Sequence, residues 1–289
     1  MKPGLLLGIL GAGEKGLRIA LLASRNAKFN VKLIDTCEKN LSYANLSMET
    51  LLMSMQTFEA ISDKELYEIP QRISVSTKID ALEASDFVIE CIHEDLDAKR
   101  NVFRNLEQIV RNDTIIASKS SKFPITQIAH DTSHPERIIG LSLKWVDFKN
   151  CLDDGQAIIR PGLQTSHSTI HIAIQFVKSI NCTPLYACDS LGFMKYRDMY
   201  AFINESTFQV KEDLSTIKDI DEKLKSEMKI PFGPFELADL IGLEDVYAKL
   251  EKYYQKLEDE RFKPSKILKK YISAGWTGKK AGRGFYEYH

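Results

Sequence analysis

The sequence predicts an α/β fold for residues 1–186 and an all-helical domain for residues 187–289. In the first part, short apolar runs rich in β-branched residues alternate with longer segments of helical period, which is the pattern of βαβ units. These runs are apolar on both faces, so helices should cover the sheet on both sides. After Cys188 the strand-like runs end. We therefore expect two domains, with ligands bound in a cleft between them.

The individual elements follow from these runs in chain order. The predicted strands are residues 5–10, 31–35, 73–75, 87–91, 114–118, 137–143, 157–160 and 184–188. Helical periods in the first part begin at Glu14, cover residues 38–55 and continue toward Phe58, and return at residues 63–67. In the second part they cover residues 194–212, 217–227, 236–257 and 264–274. Because a helix joins the first two strands, these should be parallel neighbours.

Composition and charge are those of an ordinary globular protein. The 289 residues are 44% hydrophobic and 27% charged, and 39 Lys and Arg against 40 Asp and Glu give a net charge of −1. These values argue against a disordered chain, a collagen-like repeat and a coiled-coil rod. A near-neutral chain lacks the broad basic field that attracts nucleic acid or anionic lipid. We therefore predict a small-molecule partner and neither a nucleic acid nor a membrane.

The cysteines and the apolar runs predict the compartment. The odd set of cysteines contains no C-x-x-C pair, which argues against both a disulfide framework and a cysteine zinc site. No run reaches the roughly 20 apolar residues that cross a bilayer, and the N-terminal run lacks a cleavage pattern behind it. We expect reduced thiols, no metal and a cytoplasmic protein. The cysteines are Cys37, Cys91, Cys151, Cys182 and Cys188.

A glycine-rich turn follows the first predicted strand and opens the first helix. In this pattern Gly11 permits a tight turn, Gly13 lets the backbone approach a diphosphate, and Gly16 allows close packing of helix on strand. Amides at the start of the helix then receive the anion. The alternative is a glycine-rich turn of an α/β fold that binds no nucleotide. The predicted phosphate-binding residues are Gly11, Ala12, Gly13 and Gly16, in the string G-A-G-E-K-G.

An acidic residue at the end of the second predicted strand completes this pattern. Asp35 follows the glycine turn by about 20 residues, the spacing at which a carboxylate accepts hydrogen bonds from the ribose hydroxyls of a dinucleotide. The same carboxylate repels a 2′-phosphate, so the sequence predicts NAD rather than NADP as the cofactor. The alternative role for Asp35 is a plain cap at the end of the strand.

Several strings along the whole chain resemble the 3-hydroxyacyl-CoA dehydrogenases. The strings are VIECIHEDL at residues 88–96 followed by Lys99, SKSS at 118–121 ahead of PIT at 124–126, HPERIIG at 134–140, PFGPFELADLIGL at 231–243 and GKKAGRGFY at 278–286. The last two strings are specific to this family, so a chance resemblance does not account for them. The resemblance implies an N-terminal Rossmann-type doubly wound sheet, a helical C-terminal domain for substrate and dimerisation, and therefore a homodimer. It also implies an acyl-thioester substrate, carried by CoA or by a carrier protein.

The resemblance further implies a mechanism. In the family a histidine takes the hydroxyl proton while hydride passes to the nicotinamide, a glutamate orients the histidine, and a serine and an asparagine hold the reacting oxygen. Ser121 matches that serine, and Glu94 and Lys99 match a string that contacts cofactor or substrate. Glu94 could instead be a carboxylate at a helix start, and Lys99 a solvated lysine.

Other positions depart from the family pattern. Lys119 replaces an asparagine that faces the nicotinamide, Ser142 replaces the catalytic histidine, and Tyr196 replaces the substrate asparagine. The orienting glutamate is expected just before the apolar strand at residues 158–159, where this sequence has Gln156 and Ala157, with Asp153 and Asp154 a little upstream. A serine hydroxyl needs a base of its own near pH 7, and loss of general-base assistance typically costs a factor of about 10²–10⁴.

Two side chains are candidates for the missing proton carrier. Tyr196 is a phenol whose neighbours Lys195 and Lys144 could make it more acidic, and His93 follows a strand beside the expected nicotinamide site. The alternatives are a packed tyrosine with solvated lysines, and a loop histidine that contacts the cofactor ribose or water. The sequence thus supports an NAD-dependent oxidoreductase with a non-standard acid/base set. The competing hypothesis is a degenerate member that keeps the fold and NAD but acts as a binding or scaffold protein.

Overall fold

A computed structural model describes residues 4–144, 155–189, 194–211 and 215–288. The chain divides into two compact units, Met1–Gly192 and Phe193–His289, which we call the N-terminal and C-terminal units. The sequence predicts the boundary after residue 186, at the end of the last described strand of the N-terminal unit, whereas the two units divide after Gly192. No helix of the described residues is long and apolar enough to span a bilayer.

The N-terminal unit is built on a sheet whose described strands number eight, in the order β3-β2-β1-β4-β5-β6-β7-β8. All neighbouring strands are parallel except β6 and β7, which pair antiparallel. Among the described strands, the pairing of β6 with β7 is therefore the one antiparallel pairing of the sheet. The sequence pattern did not predict the direction of this pairing. The strands are β1 (Leu6–Leu10), β2 (Asn30–Ile34), β3 (Ile73–Ser76), β4 (Phe87–Glu90), β5 (Ile115–Ser118), β6 (Ile138–Lys144), β7 (Gly155–Pro161) and β8 (Cys182–Tyr186).

Alternate residues of the central strands enter two different cores, one on each face of the sheet. In β4, Phe87 and Ile89 join one apolar cluster, whereas Val88 between them joins the other. Phe87 stacks on Phe176 with 4.5 Å between ring centroids. The described helices of this unit are α1 (Glu14–Asn26), α2 (Glu38–Thr57), α3 (Asp63–Gln71), α4 (Leu96–Ile109), α5 (Ile125–Ile128) and α6 (His167–Ser179). The prediction of an α/β sheet covered on both faces is confirmed.

The described helices of the C-terminal unit pack around their own apolar cluster, which includes Ile203 and Leu250. They are α7 (Met194–Lys211), α8 (Ile217–Met228), α9 (Pro234–Ile241), α10 (Leu243–Leu257) and α11 (Lys266–Ser273). The prediction of one helix over residues 236–257 is wrong. Gly242 adopts a φ of +102°, which L side chains rarely adopt, and separates α9 from α10.

Two buried carboxylates give the family-like strings at residues 231–243 and 278–286 a structural role. Asp221 accepts hydrogen bonds from the amide of Phe235 and from the Tyr286 hydroxyl, at 3.0 and 2.9 Å. A Cβ on Gly233 would collide with the Asp221 carboxylate. Asp239 holds the last segment of the described chain in the same way, by accepting a hydrogen bond from the amide of Phe285 at 2.9 Å. Burial raises the pKa of both carboxyl groups. These strings therefore encode the packing of the unit.

Candidate functional site

The glycine turn lies at the carboxyl end of β1, between β2 and β4. The order of the strands reverses at β1, and ligands of doubly wound sheets bind at such a switch point. Gly11 adopts a φ of +110°, and a Cβ there would lie 2.8 Å from the backbone of Cys91. A Cβ on Gly16 would overlap the carbonyl oxygen of Gly11. Both positions therefore require glycine for the turn to close against the helix and the neighbouring strand.

Gly13 differs from Gly11 and Gly16, because the fold itself does not require a glycine at this position. A Cβ at this position would meet no described atom within 4 Å, and the backbone has an ordinary extended conformation. Gly13, Glu14 and Lys15 are exposed residues, and their amides donate to no acceptor among the described residues. Unpaired amides at a helix N-terminus are a ready site for an anion. The open space beside Gly13 fits a diphosphate in close contact with the backbone.

Asp35 connects the glycine turn to the start of α2. Its carboxylate accepts hydrogen bonds from the amides of Ala12 and Cys37, each at 3.0 Å, and from the side-chain amide of Asn40, also at 3.0 Å. The half-buried side chain is therefore held in one orientation at the end of β2. Asn40 contributes to this arrangement and was not identified from the sequence, because its only signal is its position in the first turn of α2.

A cavity of about 670 Å³ opens beside these groups. Its wall includes Gly11, Gly13, Asp35 and Asn40, together with His93 from the segment after β4. A cavity of this size at the switch point suits a nucleotide. The exposed His93 lies on the same wall as Asp35, the predicted ribose anchor.

Lys99 has a different environment from the one predicted for a cofactor contact. Its side chain is 1% exposed, and its ammonium lies 2.7 Å from the carboxylate of the fully buried Glu90. Glu90 also accepts hydrogen bonds from the amide of Ile92 and the hydroxyl of Ser118, both at 2.7 Å. This buried ion pair joins α4 to the ends of β4 and β5. The sequence reasoning missed Glu90, although it stands in the family-like string at residues 88–96.

Glu94 organises the loop that follows β5. Its carboxylate accepts a hydrogen bond from the Ser120 hydroxyl at 2.7 Å and from the amide of Ser121 at 3.3 Å. Arg160 of β7 is 2% exposed and donates to the carbonyl oxygen of Ser120. Ser121 itself is exposed. The buried Ser120, with Glu94 and Arg160, thus fixes the backbone from which the Ser121 hydroxyl projects.

Lys119 stands at the carboxyl end of β5, and its amide donates to the carbonyl oxygen of Glu90 at 2.9 Å. Burial and the neighbouring ammonium of Lys15 lower the pKa of Lys119 to about 8. The thiol of Cys91 remains neutral, because burial and the Glu90 carboxylate raise its pKa to about 12 despite the opposing charges of Lys119 and Lys15. Lys15 lies in the glycine string, but its effect on Lys119 was not predicted from the sequence.

Ser142, the predicted counterpart of the family's catalytic histidine, lies on β6. Its hydroxyl donates to the carbonyl oxygen of Lys119 at 3.2 Å. In the antiparallel pairing of β6 and β7, Ser142 lies opposite Ile158, while Ala157 and Gln156 lie opposite Leu143 and Lys144. The residue across the ladder from Ser142 is therefore aliphatic and cannot orient a base.

One predicted side chain is outside this description. The backbone of Tyr196 lies in α7, but its side chain falls outside the described residues, as do those of Lys144 and Lys195. Its predicted part in proton transfer stays a prediction. Among the described residues, no group of His, Cys, Asp and Glu forms a candidate metal site.

Comparison with models of protein families shows the family of this chain. The model of the 3-hydroxyacyl-CoA dehydrogenase NAD-binding domain matches residues 6–190, and the model of the corresponding C-terminal domain matches residues 192–288. The chain belongs to the 3-hydroxyacyl-CoA dehydrogenase family. The resemblance stated from the sequence motifs is thereby confirmed, together with the Rossmann-type fold, the helical C-terminal domain and NAD as the cofactor of the N-terminal domain.

Individual relatives agree with this family. The probable 3-hydroxybutyryl-CoA dehydrogenase of Bacillus subtilis (strain 168) is 34% identical over 281 residues, covering 97% of this chain and 96% of the relative. The 3-hydroxybutyryl-CoA dehydrogenase of Bradyrhizobium diazoefficiens is 31% identical, covering 98% and 94%. Among solved structures, the (S)-3-hydroxybutyryl-CoA dehydrogenase of Ralstonia eutropha has a TM-score of 0.79 at 30% identity, covering 98% of this chain and 99% of that one.

Proposed function

We propose that the protein is an NAD-dependent oxidoreductase that acts on a 3-hydroxyacyl thioester, bound to CoA or to a carrier protein, with a non-standard acid/base set. The observation that carries this proposal is the intact glycine turn. Gly13 opens onto free space at unpaired amides, and Asp35 is held in orientation beside the cavity. Oxidoreductase family members of this length, named for 3-hydroxybutyryl-CoA, support the substrate class.

In this proposal each residue of the site has a separate role. Gly11, Gly13 and Gly16 shape the diphosphate site, and Asp35 anchors the ribose. When bound, NAD supplies the acceptor or donor of hydride. Ser121, whose backbone is fixed through Glu94, holds the reacting oxygen where negative charge develops.

The proton is carried by Tyr196 or His93. Ser142 does not serve as the base in this proposal. Its hydroxyl donates a hydrogen bond to the carbonyl oxygen of Lys119, and the residue opposite it on β7 is the aliphatic Ile158. Lys99 supports the site indirectly through its ion pair with Glu90. Lys119 remains a cofactor-binding residue in this proposal.

The same environment of Ser142 favours a second candidate function. A member that lost both the histidine and its orienting carboxylate keeps the fold and NAD but performs no hydride transfer, and it then acts as a binding or scaffold protein. Both candidates predict NADH binding, and they differ in turnover.

Titration and assay separate the two candidates. Purified protein is titrated with NADH, and acetoacetyl-CoA reduction and 3-hydroxybutyryl-CoA oxidation are followed by absorbance. Turnover of either thioester supports the oxidoreductase. NADH binding without turnover on several thioesters supports the scaffold function, and absence of NADH binding contradicts both.

Restoring the family residues tests the assignment of the altered positions. We expect the double variant Ser142→His with Tyr196→Asn to raise thioester turnover above the parent, because it returns a base and an oxygen donor. Gln156→Glu added to this variant tests whether a carboxylate on β7 helps. No gain in either variant would mean that the family histidine does not correspond to Ser142, or that the acyl site is absent.

We further propose that residues 1–186 form the dinucleotide-binding domain, that residues 187–289 serve substrate binding and dimerisation, and that the protein is a cytoplasmic homodimer. The predicted reduced thiols support the cytoplasm, since Cys37, Cys91, Cys182 and Cys188 are free in the structure. Sedimentation equilibrium measures the assembly, and a monomer at micromolar concentration would contradict the dimer.

A further inference from the structure

The side chain of Asn40 lies on the wall of the dinucleotide cavity and contacts Asp35. Asn40 is exposed in the first turn of α2, and its side-chain nitrogen donates to Oδ1 of Asp35 at 3.0 Å. Because a carboxylate accepts and does not donate, the nitrogen of this amide is the atom that faces Asp35. The side-chain carbonyl oxygen of Asn40 accepts no hydrogen bond within the described part of the chain. An acceptor is therefore open to a ligand directly beside Asp35.

The carboxylate of Asp35 has little capacity left for a ribose. A carboxylate has about four lone-pair positions, two on each oxygen. Oδ1 accepts from the amide of Cys37 and from Asn40, and Oδ2 accepts from the amide of Ala12, each at 3.0 Å. One position remains, on Oδ2. A ribose presents two neighbouring hydroxyls, so Asp35 holds one of them while these three bonds persist.

The second hydroxyl needs another acceptor on the same wall. Among the described residues, Asn40 is the one whose side chain both donates to Asp35 and lines the cavity. We propose that Asn40 is a second anchor of the adenosine ribose, with its side-chain carbonyl oxygen accepting from one hydroxyl while Oδ2 of Asp35 accepts from the other. This inference rests on the proposed function, which places the ribose at Asp35.

The same pair of acceptors discriminates against a 2′-phosphate. The described residues on the wall of the cavity include no lysine and no arginine. A phosphate in place of the 2′-hydroxyl has no proton to donate to either oxygen, and its charge is repelled by the Asp35 carboxylate. Asn40 and Asp35 together therefore favour NADH over NADPH.

Analogues of NADH that lack one hydroxyl of the adenosine ribose measure the two contacts. The full chain is titrated with NADH and with its 2′-deoxy and 3′-deoxy adenosine forms, and binding is followed by fluorescence. Loss of the hydroxyl that donates to the charged Asp35 should weaken binding about tenfold to a hundredfold, and loss of the hydroxyl that donates to the neutral Asn40 about three- to tenfold. An analogue that binds as tightly as NADH would contradict the use of both acceptors.

The variant Asn40→Ala identifies the contact that belongs to Asn40. We expect it to bind NADH about three- to tenfold more weakly than the parent and to lose the smaller of the two analogue penalties, because the acceptor of that hydroxyl is gone. The larger penalty should remain. Asn45→Ala is the matched control, because Asn45 lies on the same helix but not on the wall of the cavity, and it should leave all three Kd values unchanged.

The variant Asn40→Lys tests the same position with the opposite sign. Its ammonium still donates to Asp35 but accepts no hydroxyl, and it adds a cation to the wall. We expect weaker NADH binding and tighter NADPH binding, so that the preference for NADH falls about tenfold or more. Asn45→Lys makes the same change of charge away from the wall and should leave the preference unchanged. An equal fall in both variants would contradict contact between residue 40 and the ribose.

These outcomes separate the inference from the proposed function. Absence of NADH binding in the parent protein would overturn both, and unchanged NADH affinity in Asp35→Ala would overturn the ribose anchor on which both depend. If the parent binds NADH but Asn40→Ala retains both the NADH affinity and the two analogue penalties, then Asp35 holds both hydroxyls and the inference fails while the proposed function stands.

Discussion

At the scale of single residues, the three glycines of the turn have different physical roles. Gly11 and Gly16 allow backbone segments of the chain to pack closely against each other, since a Cβ at either position would collide with backbone atoms. Gly13 leaves space that no described protein atom fills. A side chain at Gly13 should therefore disturb the ligand and leave the fold intact.

We expect Gly13→Ala to fold with an unchanged Tm and to lose most of its NADH affinity, by about tenfold or more, because the methyl group occupies the space required by the diphosphate. The backbone at Gly13 is compatible with alanine, with a φ of −68°. Thermal unfolding and fluorescence titration with NADH measure the two effects. Gly16→Ala is the matched comparison and should lower the Tm as well. Unchanged NADH affinity in Gly13→Ala would contradict the position of the diphosphate.

At the scale of elements, the buried ion pair joins α4 to the ends of β4 and β5. Lys99 and Glu90 are almost fully buried, and Glu90 also accepts from Ile92 and Ser118. Removal of one partner leaves a charge in a low-dielectric interior, and such losses cost about 3–5 kcal/mol. The pair is thus more important for the position of these elements than an exposed pair of similar length.

We expect Lys99→Met to lower the free energy of unfolding by about 3–5 kcal/mol, because Glu90 remains charged and unpaired. The double variant Lys99→Met with Glu90→Gln should be less destabilised, since the unpaired charge is gone. Urea unfolding measures both. Lys64→Met removes an exposed ion pair with Glu68 on α3 and should leave stability unchanged within error. Equal losses in Lys99→Met and Lys64→Met would contradict the structural role of the buried pair.

The sequence predicted the elements better than the partners of individual side chains. The period of the apolar residues was sufficient for the strands and for the sheet covered on both faces, and the glycine turn was found from its spacing. The role of Lys99 was not predicted, because its pairing with Glu90 depends on how α4 packs on β4. The break at Gly242 was missed because a single glycine within an apolar period is compatible with a continuous helix.

At the scale of the whole molecule, each unit has an apolar core of its own. The cores of the N-terminal unit lie on the two faces of the sheet, and that of the C-terminal unit lies among its helices. The glycine turn and the cavity beside it belong to the N-terminal unit. A ligand of this site therefore stabilises the N-terminal unit directly.

We expect NADH at 100 times its Kd to stabilise the N-terminal unit by about 2.7 kcal/mol, because the ligand binds the folded state and not the unfolded chain. For a unit of this size the corresponding rise in Tm is about 5–10 °C. Differential scanning calorimetry of the full chain measures the rise, and if the units unfold in separate transitions only one of them should move. Gly13→Ala should show a smaller rise at the same NADH concentration, since a tenfold loss of affinity leaves about 1.4 kcal/mol of stabilisation. An equal rise in Gly13→Ala would mean that NADH binds away from the glycine turn.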